Sequence, residues 1–448
     1  MLTLSQAQDR AQEIVARAIA AGADAADAVF AADQSQSVSV RLGALEDVER
    51  SESEELGLRV FVGSRSASVS TADFGADSMA ALVERAVAMA REAPEDRWAG
   101  LAPQDRLLHG APPNLDLEDR TPVDPATLRE AALAAEDAAR AVAGVTNSEG
   151  ASAGSGRTVL ALATSHGFAG AYATTSHGLS ASVLAGSGAG MQRDYAHHSA
   201  RHRAALEAPD SVGRRAGERA VARLNPVRVA SGAMPVVFDQ RVSNGLLGHF
   251  VSAIAGAAIA RRTSFLLDSL GKQVFAKGVV VRDDPHRPRG LRSRPFDGEG
   301  LPVRPLALVE DGMLETWLLD SAAARQLGME PTGHAARGVG GAPGVSCSNL
   351  YMEAGNTPPE TLIADIERGV WVTELIGHGV NGVTGDYSRG AAGFLIEGGE
   401  IAGPVSEITI AGNLKDMFLA ATPANDLEFR YGINVPTLRV DGMTVAGD

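Results

Sequence analysis

Six polar side chains, His378, Asn381, Thr384, Asp386, Tyr387 and Arg389, stand among six glycines between Ile376 and Gly393. Glycine lets a second backbone approach closely, and the polar groups between them can hydrogen-bond its amides and carbonyls. The block therefore suits capture of an extended main chain. The same residues also fit a tight polar turn in which Asp386 pairs with Arg389.

Other chemistries have weaker support. Among ten histidines, the densest cluster is His197-His198 with His202. Adjacent side chains on a strand point to opposite faces, and Arg193, Arg201 and Arg203 add positive charge, so the segment reads as a polar strand or loop. The sole cysteine, Cys347, lies in Val345-Ser-Cys-Ser-Asn349, where nothing local would lower its pKa; it reads as a small strand residue. The run Gly338-Val-Gly-Gly-Ala-Pro-Gly344 matches no phosphate-loop pattern and reads as turns with close backbone approach. Arg282, Arg287, Arg289, Arg292 and Arg294 form a basic island, either a solvated loop or a dock for an acidic partner or peptide C-terminus.

Several elements must position these residues. Ala7, Ala11, Ile14, Val15, Ala18 and Ile19 recur at helical spacing before a stop at Gly22. Alternation predicts strands over 27–32, 36–41, 57–62 and 66–70, then a helix capped by Asp77. Pro94, Pro103, Pro112, Pro113 and Pro122 make 93–123 a long irregular connection of the kind that wraps a surface. Asp124-Pro125 opens an alanine-rich helix ending at Gly144. Short β structure is expected over 157–184, and a charged bridging helix over 211–224. Beyond a boundary at 226–235, Asp311-Gly312 and Gly398-Gly399 predict hairpins. Helices are expected at 245–260 and 361–367. The fold class is α+β in two domains. Residues 1–230, including the 93–123 connection, carry helices on an antiparallel sheet; residues 233–448 form a mostly β, barrel-like domain with a buried helix.

The chain has 448 residues, enough for two or three cores, and 45 % of them are hydrophobic. With 40 basic against 55 acidic residues, the net charge of −15 argues against duplex nucleic acid as a partner. No apolar run approaches the ~18 residues that span a bilayer. A single cysteine excludes an internal disulfide framework. The N-terminus lacks the basic-then-apolar order of a signal peptide, and a cytoplasmic protein is expected.

Several blocks, in order, resemble the TldD/PmbA family (modulator of DNA gyrase), on its PmbA/TldE branch. They are Gly245-Leu-Leu-Gly-His249, Ala260-Arg-Arg-Thr-Ser-Phe-Leu266, Ile376-Gly-His-Gly through Glu397, Ile410-Ala-Gly-Asn-Leu-Lys-Asp-Met417 and Met443-Thr-Val-Ala-Gly447. The resemblance implies one half of a heterodimeric zinc metalloprotease that cleaves unfolded peptides and helps mature peptide-antibiotic precursors. The TldD-type partner would carry the zinc, on an HExxxH helix and a downstream cysteine. In this chain the first ligand position is Gly248, the general-base position His249, the second ligand position Ala253 and the cysteine position Leu414. Glycine, alanine and leucine offer zinc no lone pair, so neither a metal nor a catalytic residue is expected here. His249 then reads as a polar residue on a helix whose buried face is Leu246, Leu247, Phe250, Val251, Ile254 and Ala257. Asn413 joins the hairpin residues as a groove or partner candidate. Isolated, the chain is expected to be inactive and open to homodimerisation. Two other functions stay in view: a stand-alone peptidase using His249 or His378 as base, and a peptide-binding or assembly protein without proteolysis.

Overall fold

A computed structural model describes residues 2–447. Helix α1 (Leu4–Ala20) begins at a capping box in which Thr3 and Gln6 satisfy each other's amides. Strands β1 (Ala25–Arg41), β2 (Ala44–Val62) and β3 (Arg65–Thr71) lead to α2 (Ala76–Glu92). Helix α3 (Pro125–Arg140), capped by Asp124, precedes β4 (Val145–Thr164), β5 (Ala169–Ala185), β6 (Gln192–Ala200) and α4 (Pro209–Ala222). These six strands form one antiparallel sheet in the order β3-β2-β1-β4-β5-β6.

Alternate residues of this sheet point to one face, and all four helices cover it in two separate pairs. Helices α1 and α2 bury Ala28, Phe30 and Ala161; α3 and α4 bury Val38, Ala153 and Ala181. Between the pairs the same face carries a polar band of Gln34, Gln36, Ser155, Arg157, Thr175 and His177. The opposite face presents Val29 and Leu162 to Phe168 and Phe296. The 93–123 connection lies along the surface: Leu108 N donates to Gly300 O at 2.9 Å, and Leu115 and Leu117 are buried.

Several sequence expectations need correction. The short strands are parts of much longer ones: 27–32 and 36–41 belong to β1, 57–62 to β2, and 157–184 to β4 and β5. The cap of α2 is Gly75, because Asp73 accepts from Gly75 N and Ser78 Oγ and fixes the turn before Asp77. Helix α4 bridges nothing. It lies flat on α3, so close that a Cβ at Gly213 would stand 1.9 Å from Ala135 O.

The C-terminal half opens with β7 (Gly232–Phe238), α5 (Gln240–Ala253) and α6 (Gly256–Ala260). Strands β8 (Val281–Asp284), β9 (Leu306–Glu310) and β10 (Met313–Leu314) precede α7 (Ser321–Leu327). Then come β11 (Ala335–Ala336), β12 (Gly344–Val345), β13 (Asn349–Met352) and α8 (Pro359–Ile363). The last elements are β14 (Arg368–Val380), β15 (Asp386–Glu397), β16 (Glu400–Asn413), α9 (Leu414–Leu419), β17 (Ala421–Pro423), β18 (Ile433–Asn434) and β19 (Leu438–Ala446). One sheet runs β16-β15-β14-β7-β19-β17, and Thr409–Ala411 of β16 pair back onto β19, closing it into a barrel. The hairpins at Asp311-Gly312 and Gly398-Gly399 form, each with both central residues at positive φ.

The helix expected over 245–260 is two. It breaks after Ala253 because Ala255 is extended and Gly256 N donates to Leu318 O at 2.8 Å, tying the chain to the strand-like segment ahead of α7. Val251 is consequently half-buried and Ala257 exposed, while Ile259 joins the core. The helix expected over 361–367 runs Pro359–Ile363 instead.

The two halves are locked by buried charge. Asp27 of β1 accepts from Arg59 Nε at 2.9 Å and from Arg337 Nη2 at 3.2 Å, and Arg241 of α5 holds Asp194 of β6 at 2.7 Å. Strand β3 pairs only with Leu56–Val62, so the outer edge of 44–55 in β2 has no strand partner among the described residues. No described helix is long and apolar enough to cross a membrane.

Candidate functional site

Helix α5 starts where Asp239 accepts from Arg241 N, and buries Leu246, Leu247, Phe250 and Ala253. A Cβ at Gly248 would meet open space, while His249 is half-buried. Ala253 occupies the last helical position. Leu414 opens α9 fully buried, its N donating to Gly385 O at 2.7 Å. These residues do not fit zinc. None of Gly248, Ala253 and Leu414 carries a donor atom, and no group of three His, Cys, Asp or Glu among the described residues could hold a metal ion.

The glycine-rich hairpin divides into three parts. Its loop is a hydrogen-bonded knot: Asn381 Oδ1 accepts from Val383 N at 2.9 Å, and Thr384 Oγ1 donates to Asp386 Oδ2 at 2.6 Å. Asn413 Nδ2 donates to Asp386 Oδ1 at 3.2 Å and to Thr384 O at 3.1 Å, while its Oδ1 caps α9. The Thr384 and Asn413 bonds hold the Asp386 carboxyl below the usual carboxylate range. Asp386 is therefore not the partner of Arg389, whose Nε donates to Ile376 O at 3.2 Å. Asn413 reaches Asp386 first because the end of β16 pairs alongside it, Asp386 opposite Asn413.

Tyr387 alone of these candidates points inward. It is 2 % exposed, and its hydroxyl has no hydrogen-bond partner among the described residues. It cannot line an open groove. Its ring meets that of His249 instead, with centroids 6.1 Å apart. Burial, and then the charge of Arg389, lower the His249 pKa; burial raises that of Tyr387 to about 12. The structure thus brings His249, Tyr387 and Arg389 together, residues that the sequence places in two separate motifs.

His378 is exposed in the third part, the projecting end of β14. Strand β7 pairs only with Val370–Val372 of β14, so the outer edge over 374–380 has no strand partner among the described residues. Ile376, Gly377, His378 and Gly379 are all exposed along it. Free amides and carbonyls on such an edge can accept another strand.

The remaining sequence candidates are structural. His198 Nδ1 accepts from Glu207 N at 3.1 Å, His202 Nε2 meets Asp116 O at 3.0 Å, and His197 stacks beside Tyr195. In the arginine island several charges already have partners within the chain, while Arg289 and Arg292 stay exposed. Arg282 pairs with Glu310 at 3.3 Å, Arg289 with Asp116 at 2.6 Å, and Arg287 covers the Phe429 ring. Cys347 has a basic neighbour after all, Arg292 Nη1 at 3.6 Å, but burial and the charge of Asp283 raise its pKa. In the 338–344 run, backbone approach occurs at Val339, whose O lies 2.0 Å from where a Gly57 Cβ would be.

A second concavity, invisible in sequence because its walls lie far apart in the chain, opens between α4 and the β14–β15 ladder. It is lined by Arg219, Arg223, Trp371, Thr373, Phe394 and Ile401, among others.

Three family descriptions match the chain: PmbA/TldA metallopeptidase domain 1 over residues 26–90, the central domain over 118–224 and the C-terminal domain over 231–447. Metalloprotease PmbA of Escherichia coli O157:H7 is 40 % identical over 426 residues, 95 % of this chain and 92 % of its own. A metalloprotease PmbA homolog of Haemophilus influenzae is 38 % identical over 415 residues, 92 % and 90 % of the two chains. A crystal structure of a candidate modulator of DNA gyrase from Bacteroides thetaiotaomicron superposes with a TM-score of 0.91 at 28 % identity, covering 100 % of both chains. TldE from Thermococcus kodakarensis shares the fold, with a TM-score of 0.86 at 21 % identity over 97 % of this chain and 99 % of that one.

Proposed function

The chain belongs to the PmbA/TldD metallopeptidase family, and we propose that within it this chain is the subunit that shapes a peptide groove while a TldD-type partner supplies zinc and hydrolysis. The observation that carries this reading is the chemistry of Gly248, Ala253 and Leu414, which bring no lone pair to the three ligand positions. This chain activates no water. Its own contribution is binding and orientation. An unfolded peptide adds to the open edge of β14 over 374–380, its main chain held by backbone hydrogen bonds that tolerate many sequences. The knot of Asn381, Thr384, Asp386 and Asn413 keeps the hairpin rigid, so little ordering cost falls on binding. Folded proteins are rejected because they offer no free strand. In this reading the complex works in the cytoplasm on unstructured peptides, peptide-antibiotic precursors included.

The test is to purify this chain alone and with a TldD-type subunit, measure zinc per chain, and assay an unstructured peptide with each chain separately and with both. We expect stable association, zinc only in the partner, and hydrolysis only by the pair. Hydrolysis by this chain alone after chelation would establish a stand-alone peptidase. Peptide binding without association or hydrolysis would leave an assembly protein. Either result overturns the proposal.

A further inference from the structure

The cleft between α4 and the β14–β15 ladder has a volume of about 300 Å³ and walls of mixed character. Trp371 and Phe394, opposite each other across the ladder, supply the apolar body together with Ile401. Two polar groups lining it are underused. The first is Thr373, 9 % exposed, whose hydroxyl has no hydrogen-bond partner among the described residues. The ladder register passes from Val372 opposite Gly393 to Glu374 opposite Ala392, so Thr373 is the extra residue of a bulge. Bulges re-aim a side chain, and they gather beside binding sites.

The second is Arg219. Arg241 spends its charge on Asp194 at 2.7 Å, and Arg223 is held by Glu374 at 2.5 Å and Asp194 at 3.4 Å. Arg219 has only a 3.3 Å bond to Tyr195 O and no carboxylate within ion-pair distance among the described residues. Burial, and then the neighbouring Arg241, press its pKa below the ordinary value, although the more distant carboxylates of Asp239 and Asp194, also on the cleft wall, offset part of this.

We propose that this cleft binds an apolar or aromatic monocarboxylate, its carboxylate taken by Arg219 and the Thr373 hydroxyl, its body lying against Trp371 and Phe394. Arginine favours a carboxylate because its planar fork presents paired donors. The bulge accounts for a Thr373 hydroxyl that finds no partner in the ladder. Such a group comes from one of two sources, a free aryl- or alkyl-carboxylic acid or the C-terminal residue of a peptide. The site adjoins the β14 edge at Glu374, which holds Arg223, but it does not depend on the proposed groove.

The test is titration calorimetry on the full chain with 3-phenylpropionate and its amide, and with Ala-Ala-Phe bearing a free or an amidated C-terminus. At least one acid is expected to bind at least about tenfold more tightly than its amide. Binding of phenylpropionate alone identifies a small acid, and binding of the tripeptide alone a peptide terminus; both support the carboxylate site. Arg219→Gln should weaken the acid by about tenfold or more and erase the acid–amide difference, whereas Arg219→Lys should retain it in part. Thr373→Val should weaken acid binding without lowering the melting temperature, since it removes an unpaired group. Equal binding of acid and amide, no binding of any probe to the folded chain, or unchanged binding by a folded Arg219→Gln variant would overturn the proposal.

Discussion

The imidazole of His249 stands edge-on to the phenol ring of Tyr387, the two planes inclined at 76°. One ring comes from α5, at the position proposed to match a general base in the zinc-bearing subunit; the other comes from the glycine-rich hairpin. An aromatic contact therefore joins two segments far apart in the chain. The Tyr387 hydroxyl, buried and without a hydrogen-bond partner among the described residues, is a cost of this arrangement. Tyr387→Phe should raise unfolding stability by about 1 kcal/mol, read by chemical denaturation.

Metal content should follow ligand chemistry. The purified chain should carry no stoichiometric zinc by elemental analysis. Combining Gly248→His, His249→Glu, Ala253→His and Leu414→Cys should create zinc uptake, helped by the open space beside Gly248. Residues five apart on an ideal helix diverge by about 140°, so the new pair converges only where the last turn of α5 is distorted, and absence of zinc uptake would count against that distortion or against the matched positions. Tight zinc in the unaltered chain would contradict the proposed division of labour.

Main-chain recognition predicts a particular selectivity. Methylating alternate backbone amides of a peptide substrate should raise the KM of the assembled complex by about tenfold or more, because each lost donor weakens strand addition. Single side-chain changes in the same peptide should matter less. The reverse order would point to side-chain pockets.

Stability should depend on pH through two opposed sets of groups. His177, His197, His198 and His249 are all pulled below the ordinary value of 6.5 by burial. As pH falls through 6.5, the unfolded chain takes up protons that the folded chain refuses, and stability drops. Glu299 works the other way. Burial, and then the charge of Asp297, raise its pKa from 4.5 to about 7, so its contribution is full below 4.5 and lost as pH rises through 7. Glu299→Gln removes this second dependence. Between pH 5 and pH 8 the variant should gain about 2–3 kcal/mol relative to the unaltered chain, visible in melting temperatures.

The lock between the halves should be sensitive to the Asp27 carboxylate. Asp27→Ala leaves Arg59 and Arg337 buried without their counter-ion and should cost about 3–5 kcal/mol. The measurement is the denaturant midpoint. A loss below 1 kcal/mol would mean that water or backbone groups replace the carboxylate.

Periodicity and turn chemistry exposed much of this architecture. The face of α1, the Asp124-Pro125 start of α3 and the two glycine hairpins were all readable because each depends on residues close in sequence. The break in α5 was not, since it depends on Leu318 binding Gly256 from another segment. Strand lengths were underestimated for a related reason. The polar band that includes Gln34, Gln36 and Arg157 interrupts the hydrophobic alternation, yet the ladder runs straight through it. At the candidate site, motif register placed Gly248, Ala253 and Leu414, but burial decided Tyr387. No local signal marked Arg219 or Thr373, whose significance comes from what does not touch them.

The unpaired length of β2 has a consequence for how copies of this chain meet. Along 44–55 it carries Glu46, Asp47, Glu49, Glu52, Glu54 and Glu55 against the single cation Arg50. Arg10 of α1 answers only Glu54, at 2.6 Å, so two such arms zipping together would bring the other carboxylates into rows at strand spacing, and the arm repels its own kind. Salt is the natural release, and crowding in high ionic strength would remove the guard first from this strip.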